Sequence, residues 1–574
     1  MGLLNSALQI GRSAILSYEG ALNVVGNNIS SAGNPNHTRV SPLLDSLQGT
    51  PITGDLQPGA GVALHNIQRN IDEALESRVR LAIGAQASAT TQEGALARVE
   101  GLFNDLNQGG IGSQLTEFLH GFDELQNTPE DPAIRDLVIS NGVNLAQSLR
   151  TLRNNLAGVA EDADKQIGEV VKQADQLVRD IAKLNSQIST DEAGRRGPAA
   201  GLRDQRDGLL RQLAELFDVT VREQPNGTIN IYIGSEALVQ GGSVRGLVAV
   251  RELTSQGPRT SVRFADTNQQ VTVRGGQLEG LIASRDQHVQ IDQVDELAAA
   301  VITEVNRIHA DGQGLVGFNS LTSTADVLDT GAALNSSAAG LPVTPKNGSF
   351  FITVADDATR TPVSYRIDVK FDGANGPTTL DSLVADINAN VQGVTASITT
   401  NNRLSLTAGD GFRFTFGYDG QDARGDTSGV LAALGVNTFF TGTDARNIAV
   451  NQTIQQQPSL IAAASSFLSG DGANAGRLAA LDTDAVARLG DLSLPGFYRT
   501  VVNAVAVKTA AVRDESDARA SVLTSLKTQR ESISGVNLDE EAIALVKFER
   551  AFQGASRFIR VVDDLVTELI TLIR

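Results

Sequence analysis

The sequence predicts a multidomain chain in which α-helical coiled-coil and bundle inner domains, formed by both termini, carry an inserted, mainly β outer part. Three observations predict it. Apolar residues recur at alternating spacings of four and three at both extreme ends. Between Glu304 and Glu515 glutamate is absent, and Gly, Thr, Ser and Asn replace the helix formers of the flanks. Inside that gap the apolar residues alternate with a period of two. At 574 residues the chain has material for several domains of about 100–200 residues each.

The elements follow in order. Leu4, Leu8, Gly11, Ile15, Tyr18, Leu22, Val25 and Ile29 form a heptad seam, predicting a helix that ends at Ser30-Ser31-Ala32-Gly33-Asn34-Pro35. Met1 to Asn5 and Ser6 also fit the loose myristoylation pattern, with Gly2 read instead as the residue ahead of this helix. No basic segment precedes the first apolar residues, so no cleaved secretory signal is expected. From Pro42 to Gly61, Pro51, Gly54, Pro58, Gly59 and Gly61 predict a turn-rich connector. A second helical stretch covers Ile67 to Leu106, and after Gly109-Gly110 a helix is expected over Ser113 to Leu125, broken at Thr128-Pro129-Glu130-Asp131-Pro132.

The longest seam runs Leu145, Leu149, Leu152, Leu156, Val159, Ala163, Gln166, Val170, Ala174, Leu177, Ile181, Leu184, Ile188, with Gln166 its one polar member. Such a rod needs partner helices over its stripe, and the stretches Arg203 to Phe217, Asp286 to His309 and Pro495 to Ile533 are the candidates. Between Asp218 and Gly242, Val219 and Val221 face Ile229, Ile231 and Ile233 across Pro225-Asn226-Gly227, a hairpin signature. Phe350-Ile352-Val354 and Val363-Tyr365-Ile367-Val369-Phe371 share a period of two, followed by a short helix from Leu380 to Val391. Strands are expected over Val394 to Ile398, Leu404 to Leu406 and Phe412 to Phe416, within a compact β-rich region from about Asp311 to Gly470.

The C-terminal end carries two neighbouring seams. One is Leu545, Phe552, Ala555, Ile559, Val562, Val566, Leu569 and Ile573; the other is Phe548, Ala551, Ala555, Phe558, Val562, Leu565, Leu569 and Leu572. Together they are wider than a two-stranded coiled coil requires. Burial within this subunit's own bundle fits the pattern, and so does burial on two sides, against the N-terminal helix and against neighbouring subunits. The candidate assembly seams are therefore Leu4, Leu8, Ile15, Tyr18, Leu22, Val25 and Ile29 at one end, and Leu545, Phe548, Phe552, Phe558, Ile559, Val562, Leu565, Val566, Leu569 and Ile573 at the other.

Composition excludes whole classes of function. With 66 Asp+Glu against 47 Lys+Arg the formal charge is −19, which repels a nucleic-acid backbone. There is no cysteine and no tryptophan, and the one methionine is the first residue, so disulfides, thiolate metal sites and thiol nucleophiles are ruled out. No apolar run is long enough for a membrane span. The five histidines, His37, His65, His120, His288 and His309, stand too far apart for a paired metal site. Phosphate-loop and nucleophile-elbow motifs are missing.

The acidic stretches Asp419 to Asp426 and Ser469-Gly470-Asp471-Gly472 lack the ligand spacing of a calcium loop and read as solvated turns. Arg195-Arg196-Gly197-Pro198 reads as a charged loop between helices. Asp204-Gln205-Arg206-Asp207 reads as the solvated first turn of a helix, favoured by its dipole. No enzyme, cofactor or metal is expected.

The residues themselves carry a resemblance. Ser6-Ala7-Leu8, continued by Leu22-Asn23-Val24-Val25-Gly26-Asn27-Asn28-Ile29-Ser30, resembles the N-terminal signature of the bacterial flagellar axial protein family of rod, hook and hook-associated proteins. Ser534-Gly535-Val536-Asn537-Leu538-Asp539-Glu540-Glu541, with Phe548-Glu549-Arg550-Ala551-Phe552, looks like the terminal motif of its hook-filament junction members. Asp131 to Arg135, Leu202 to Asp207, Leu238 to Gly241, Asn306 to Ala310 with Gly312 and Gly314, and Ser428 to Phe440 are similar to the same group, whereas Gly317 to Pro345 carries no resemblance. Pro35-Asn36-His37 departs from the family's usual Gly-Tyr after the turn proline, and the His37 ring is the substitute at hand.

The resemblance implies a secreted structural protein of the extracellular flagellum that forms the first junction ring between hook and filament. Its implied partners are copies of itself in a ring, hook protein below, the second junction protein above, an export chaperone on the C-terminal helix and the flagellar type III export apparatus. A terminal tube domain from 1–60 with 534–574, a helical bundle from 61–310 with 471–533 including a β-hairpin part near 218–280, and β-rich outer domains over 311–470 are expected. Hook or rod protein is the alternative, as is a junction protein whose outer domain also acts as an adhesin.

Overall fold

The computed structural model describes residues 2–48, 59–103, 110–193, 197–254, 257–286, 289–359, 361–372, 376–417, 425–468 and 470–572. The chain divides into two compact units, each assembled from separated stretches. One comprises Met1–Ala95, Glu161–Asp286 and Ala510–Arg574; the other comprises Leu96–Ala160 and Gln287–Thr509.

In the first unit the helix Gly2–Ser30 packs lengthwise on the last helix, Leu538–Leu572. Its other side carries an antiparallel pair of strands, Val40–Gln48 and Gly59–Arg69, with register shifts at Leu43/Leu44 and Leu47/Gln48. The turn-rich connector expected from Pro42 is thus a strand as far as Gln48, and Gly59 and Gly61 belong to its partner. Pro42 is tolerated because each strand has a single neighbour, so an N–H on its outer edge is not missed. Ile67 also lies in a strand. The helix expected from that residue begins at Glu73 instead, where the Asp72 side chain accepts the Leu75 N–H at 3.0 Å and caps it.

The core of the first unit gathers Ile167, Val171, Ala174, Val178 and Ile181 of the 62-residue helix Pro132–Ala193 against Leu210 and Leu213 of the helix Ala200–Leu216. The four-stranded sheet of Thr220–Glu223, Ile229–Ile233, Glu236–Gln240 and Ser243–Val244 covers it. Val221 pairs with Ile231 as the alternation required, and Gly227 supplies the turn with φ of 77°. Gln166 lies exposed and Ile167 is buried in its place. The stripe passes through Ala163, Ile167, Val170 and Ala174, keeping the four-three rhythm without the polar interruption. Beyond these lie the strand pair Leu247–Thr254 with Gly257–Phe264 and the helix Gly276–Arg285. The single stretch expected over Asp286 to His309 is the helix Val289–His309.

The second unit holds two cores. One packs Ile111–Asn127 against Val138, Leu145 and Leu149 of the long helix, against Val289–His309, and against Leu494, Tyr498 and Val501. A cluster of phenylalanines closes it, with ring centroids 5.2 Å apart for Phe118 and Phe122 and 4.9 Å for Phe439 and Phe440. The other core is the β-rich part. Gly348–Asp356 lies between Pro362–Val369 and Phe412–Thr415, with Phe350 opposite Ile367 and Ile352 opposite Tyr365. Leu404–Ala408 lies between Val394–Ile398 and Ser320–Thr322. The helix Leu380–Asn390 starts at a reciprocal box in which Thr379 Oγ1 accepts the Ser382 N–H and Ser382 Oγ accepts the Thr379 N–H.

Candidate assembly surface and its polar junction

The N-terminal helix has two buried faces. The heptad seam meets the C-terminal helix: a Cβ on Gly11 would overlap Ile559 Cγ1 and lie 3.3 Å from Phe558 Cδ1. Along that seam Val25 is buried, while Leu4, Leu8, Ile15, Tyr18, Leu22 and Ile29 are half-buried. The second face, Ser17, Ala21, Val24 and Asn28, is buried as well. Ser17 Oγ donates to the Val62 carbonyl at 2.9 Å and accepts the Leu64 N–H at 3.1 Å, tying this face to the strand pair. Small and polar residues line it, so no apolar period announced it.

On the C-terminal helix, Val562 is buried, and Phe548, Phe552, Ile559, Val566 and Leu569 are half-buried. Phe558 and Leu565 are 42% and 49% exposed, and Leu545 also stands in water. Val561, 56% exposed, extends the uncovered stripe; it falls outside both sequence seams, because a wide stripe read as two narrow seams loses its flank. Ile543 and Val546 are exposed nearer the start of the helix. Ile573 lies outside the described residues.

A polar junction sits where the two terminal helices meet the strand pair. Asn28 donates from Nδ2 to the Val40 carbonyl at 2.8 Å and to Glu541 Oε2 at 3.0 Å, and its Oδ1 accepts the Val40 N–H at 3.1 Å. Glu541, buried at 2% exposure, also accepts from Arg39 Nε at 2.8 Å, while Glu540 accepts from Arg39 Nη1 at 2.6 Å. The Arg39 N–H donates to the Ser534 carbonyl at 2.9 Å. Burial works against the Arg39 charge, and its hydrogen bonds with Glu540 and Glu541 outweigh that, holding its pKa above the ordinary arginine value. The ring of His37 bridges Asn28 Oδ1 and Asp204 Oδ2, each at 3.3 Å. This departure from the family pattern is built into the junction.

Asp204-Gln205-Arg206-Asp207 corrects the expectation of a solvated first turn. Asp204 and Arg206 are buried. Asp204 accepts from the Thr38 N–H at 3.2 Å and from Arg69 Nη2 at 2.8 Å, and Asp207 accepts from Arg69 Nη2 at 2.5 Å. Burial disfavours the Arg69 charge, but Asp207 and Asp204 more than compensate, so its pKa is raised. Arg206 Nη1 donates to the Gly227 carbonyl at 2.7 Å. The carboxylates face inward because an arginine far away in sequence comes to them.

The remaining candidates serve the fold. Asp471 accepts N–H bonds from Ser465, Ser466 and Ala473, and Asp426 accepts them from Ser428, Gly429 and Leu431. Residues 419–424, Ser469, Arg195, Arg196 and His288 lie outside the described residues. His65 is exposed beside Asp45, whereas His309 is buried. Among the described residues no cluster of His, Asp and Glu could hold a metal ion, and no helix is long and apolar enough to cross a membrane.

Comparison with known proteins agrees along the whole chain. The model of the flagellar hook-associated protein FlgK helical domain matches residues 96–321, the flagellin hook IN motif matches 353–410, and the flagellar basal body rod FlgEFG protein C-terminal model matches 528–572. Flagellar hook-associated protein 1 of Escherichia coli K12 is 27% identical over 597 residues, covering 99% of each chain. Its counterpart in Salmonella typhimurium is 26% identical over 99% of this chain and 100% of its own. That of Bacillus subtilis is 23% identical over 98% and 97%. With relatives of one name aligned from end to end and the helical-domain model on the long rod, the chain is similar over its whole length to flagellar hook-associated protein 1.

Proposed function

We propose that this protein is a structural component of the bacterial flagellum, polymerising on the end of the hook and adapting it to the filament, with no catalytic role. The observation that carries it is the uncovered apolar stripe of Phe558, Val561 and Leu565, on a helix whose neighbouring face is already occupied by the N-terminal helix of the same chain. Contiguous apolar surface of this kind marks an association site, and a second copy presenting the same termini is the natural occupant in a ring.

In this reading 1–60 and 534–574 build an inner tube, 61–310 with 471–533 surround it, and 311–470 face outward. Hook protein and the second junction protein are the neighbours along the axis. The export apparatus and a chaperone on the C-terminal helix act before assembly, and the mature protein sits outside the cell. A hook or rod protein is the second reading, favoured by the rod-model match over 528–572.

Electron microscopy of cells lacking the gene tests the proposal. Hooks without filaments, with flagellin shed into the medium, are expected; absent hooks would transfer the assignment to the second reading. Normal filaments would sink both.

A further inference from the structure

The second unit joins its helical and β-rich cores at a place whose composition suggests a hinge. The chain leaves the helical core at Ile308, enters the β-rich core at Ala310 and returns between Val436 and Phe439. The first crossing continues as Asp311-Gly312-Gln313-Gly314, and glycines spaced so closely make a flexible link when nothing holds them. Neither glycine has a positive φ, so the crossing does not use their backbone freedom. Each lies instead where another segment comes close. A Cβ on Gly312 would overlap Asn474 Nδ2, and one on Gly314 would overlap the Ser459 carbonyl.

Buried amides lace the crossings together. Asn437, left-handed at φ of 51°, which asparagine tolerates, donates from Nδ2 to the carbonyls of Gly312 at 3.0 Å, His309 at 3.3 Å and Ala310 at 3.4 Å. In return its own carbonyl lies 2.8 Å from the His309 ring. Asn474 Nδ2 donates to the Ile308 carbonyl at 3.1 Å and to the Ala462 carbonyl at 2.7 Å, which brings in a third segment. That segment serves both cores: Leu460 is buried in the β-rich one and Ile461 in the helical one. Gln313 and Ala464 exchange backbone bonds at 2.8 and 3.1 Å.

We infer that residues 308–315 form a locked splice, in which Asn437 and Asn474 are the positioning residues that fix the direction of the β-rich core relative to the helix Val289–His309. A connection swings when a few backbone dihedrals turn independently of their surroundings. Here turning either crossing breaks several buried hydrogen bonds at once and strands carbonyls that helix ends already leave without partners. The glycines are needed for proximity, because any side chain would push the third segment away. In a ring of copies, a fixed direction presents every outer part to its neighbours in the same way. That consequence rests on the assembly reading above, whereas the splice is a property of the middle of a single chain.

The absence of cysteine allows paired spin labels in the full-length chain. Ser140→Cys with Ala385→Cys spans the splice, and Ser140→Cys with Asp292→Cys stays within the helical core; all three positions are exposed. With the splice intact, pulsed dipolar spectroscopy should give the spanning pair a distance distribution as narrow as that of the pair within the core. A broad spanning distribution would overturn the inference. Asn437→Gly with Asn474→Ala should widen the spanning distribution about twofold, as a released hinge would, and leave the other pair unchanged. Amide hydrogen exchange should show both cores still protected in that variant. An unchanged spanning width would overturn the role given to the two asparagines. Loss of protection throughout either core would overturn it too, because the amides would then hold the cores themselves rather than their direction. None of these results bears on whether copies associate, so the assembly reading stands or falls separately.

Discussion

His309 shows how one buried side chain makes half of the molecule sensitive to acid. Its Nδ1 donates to the Asn437 carbonyl at 2.8 Å and its Nε2 accepts the Ala462 N–H at 3.0 Å, so the neutral ring is fully used. Burial pushes its pKa down to about 4 from an ordinary 6.5. The unfolded chain therefore takes up a proton that the folded unit refuses. Stability from this site is complete above about pH 6.5, declines as the pH falls by about 1.4 kcal/mol per unit, and levels off near pH 4. In urea melts at pH 6.5 and 5.0, the natural chain should lose about 2 kcal/mol more than His309→Gln, which cannot titrate; equal losses would show that the ring is not the responsible group.

Arg135 stands nearby in the same unit and, among the described residues, has no carboxylate partner; it donates to the carbonyls of Pro129, Pro458 and Ile461. Burial pushes its pKa down to about 10, which leaves it charged at neutral pH. Arg135→Met takes both guanidinium bonds from the Pro129 carbonyl, while the Pro458 and Ile461 carbonyls keep the N–H groups of Ile461 and Ala463; it should destabilise the second unit by about 1–3 kcal/mol in denaturant melts.

At the scale of elements, periodicity located nearly every long helix and the β-rich pairs, because a helix or strand with one dry face must repeat its apolar residues. What stayed illegible were surfaces held by small or polar residues. Ser17, Ala21 and Asn28 give no apolar signal, so the strand pair they dock was read as a connector. The Asp204 and Asp207 carboxylates looked solvated because only tertiary structure brings Arg69 to them. Gln166 is instructive in the opposite direction: a strict extrapolation of the seam selected it, and a one-residue shift to Ile167 preserved the stripe.

Glycine can be equally silent. Gly276 has φ of 67°, and an added Cβ would overlap the backbone at Leu216 and Phe217, where the helix Gly276–Arg285 approaches the end of Ala200–Leu216. Gly276→Ala should therefore cost the first unit about 2–4 kcal/mol, from the left-handed conformation and the lost close approach together. Hydrogen exchange should show the loss concentrated in that helix pair; a fall of under about 0.5 kcal/mol would mean the backbone relaxes freely.

At the scale of the whole molecule, ends that commonly fray are its most strongly patterned segments. The C-terminal helix shows why one lone chain does not exhaust that pattern. Ile559 and Leu565 are both apolar and six residues apart, yet one packs at the Gly11 notch and the other is 49% exposed. Aspartate at the two positions should therefore act differently. Ile559→Asp buries a charge against the N-terminal helix, costs several kcal/mol, and should unpair the termini in the monomer as well as block assembly. Leu565→Asp replaces a side chain already half in water, so an aspartate there can keep its carboxylate solvated and the stability of the monomer should shift by less than about 1 kcal/mol. In the assembly the same aspartate would face a neighbour's apolar surface and should prevent growth beyond the hook. Monomer helicity by circular dichroism and filament formation in complemented cells separate the two effects. Normal filaments carrying Leu565→Asp would show that this stripe stays in water in the finished structure, and copies would then have to join through another face.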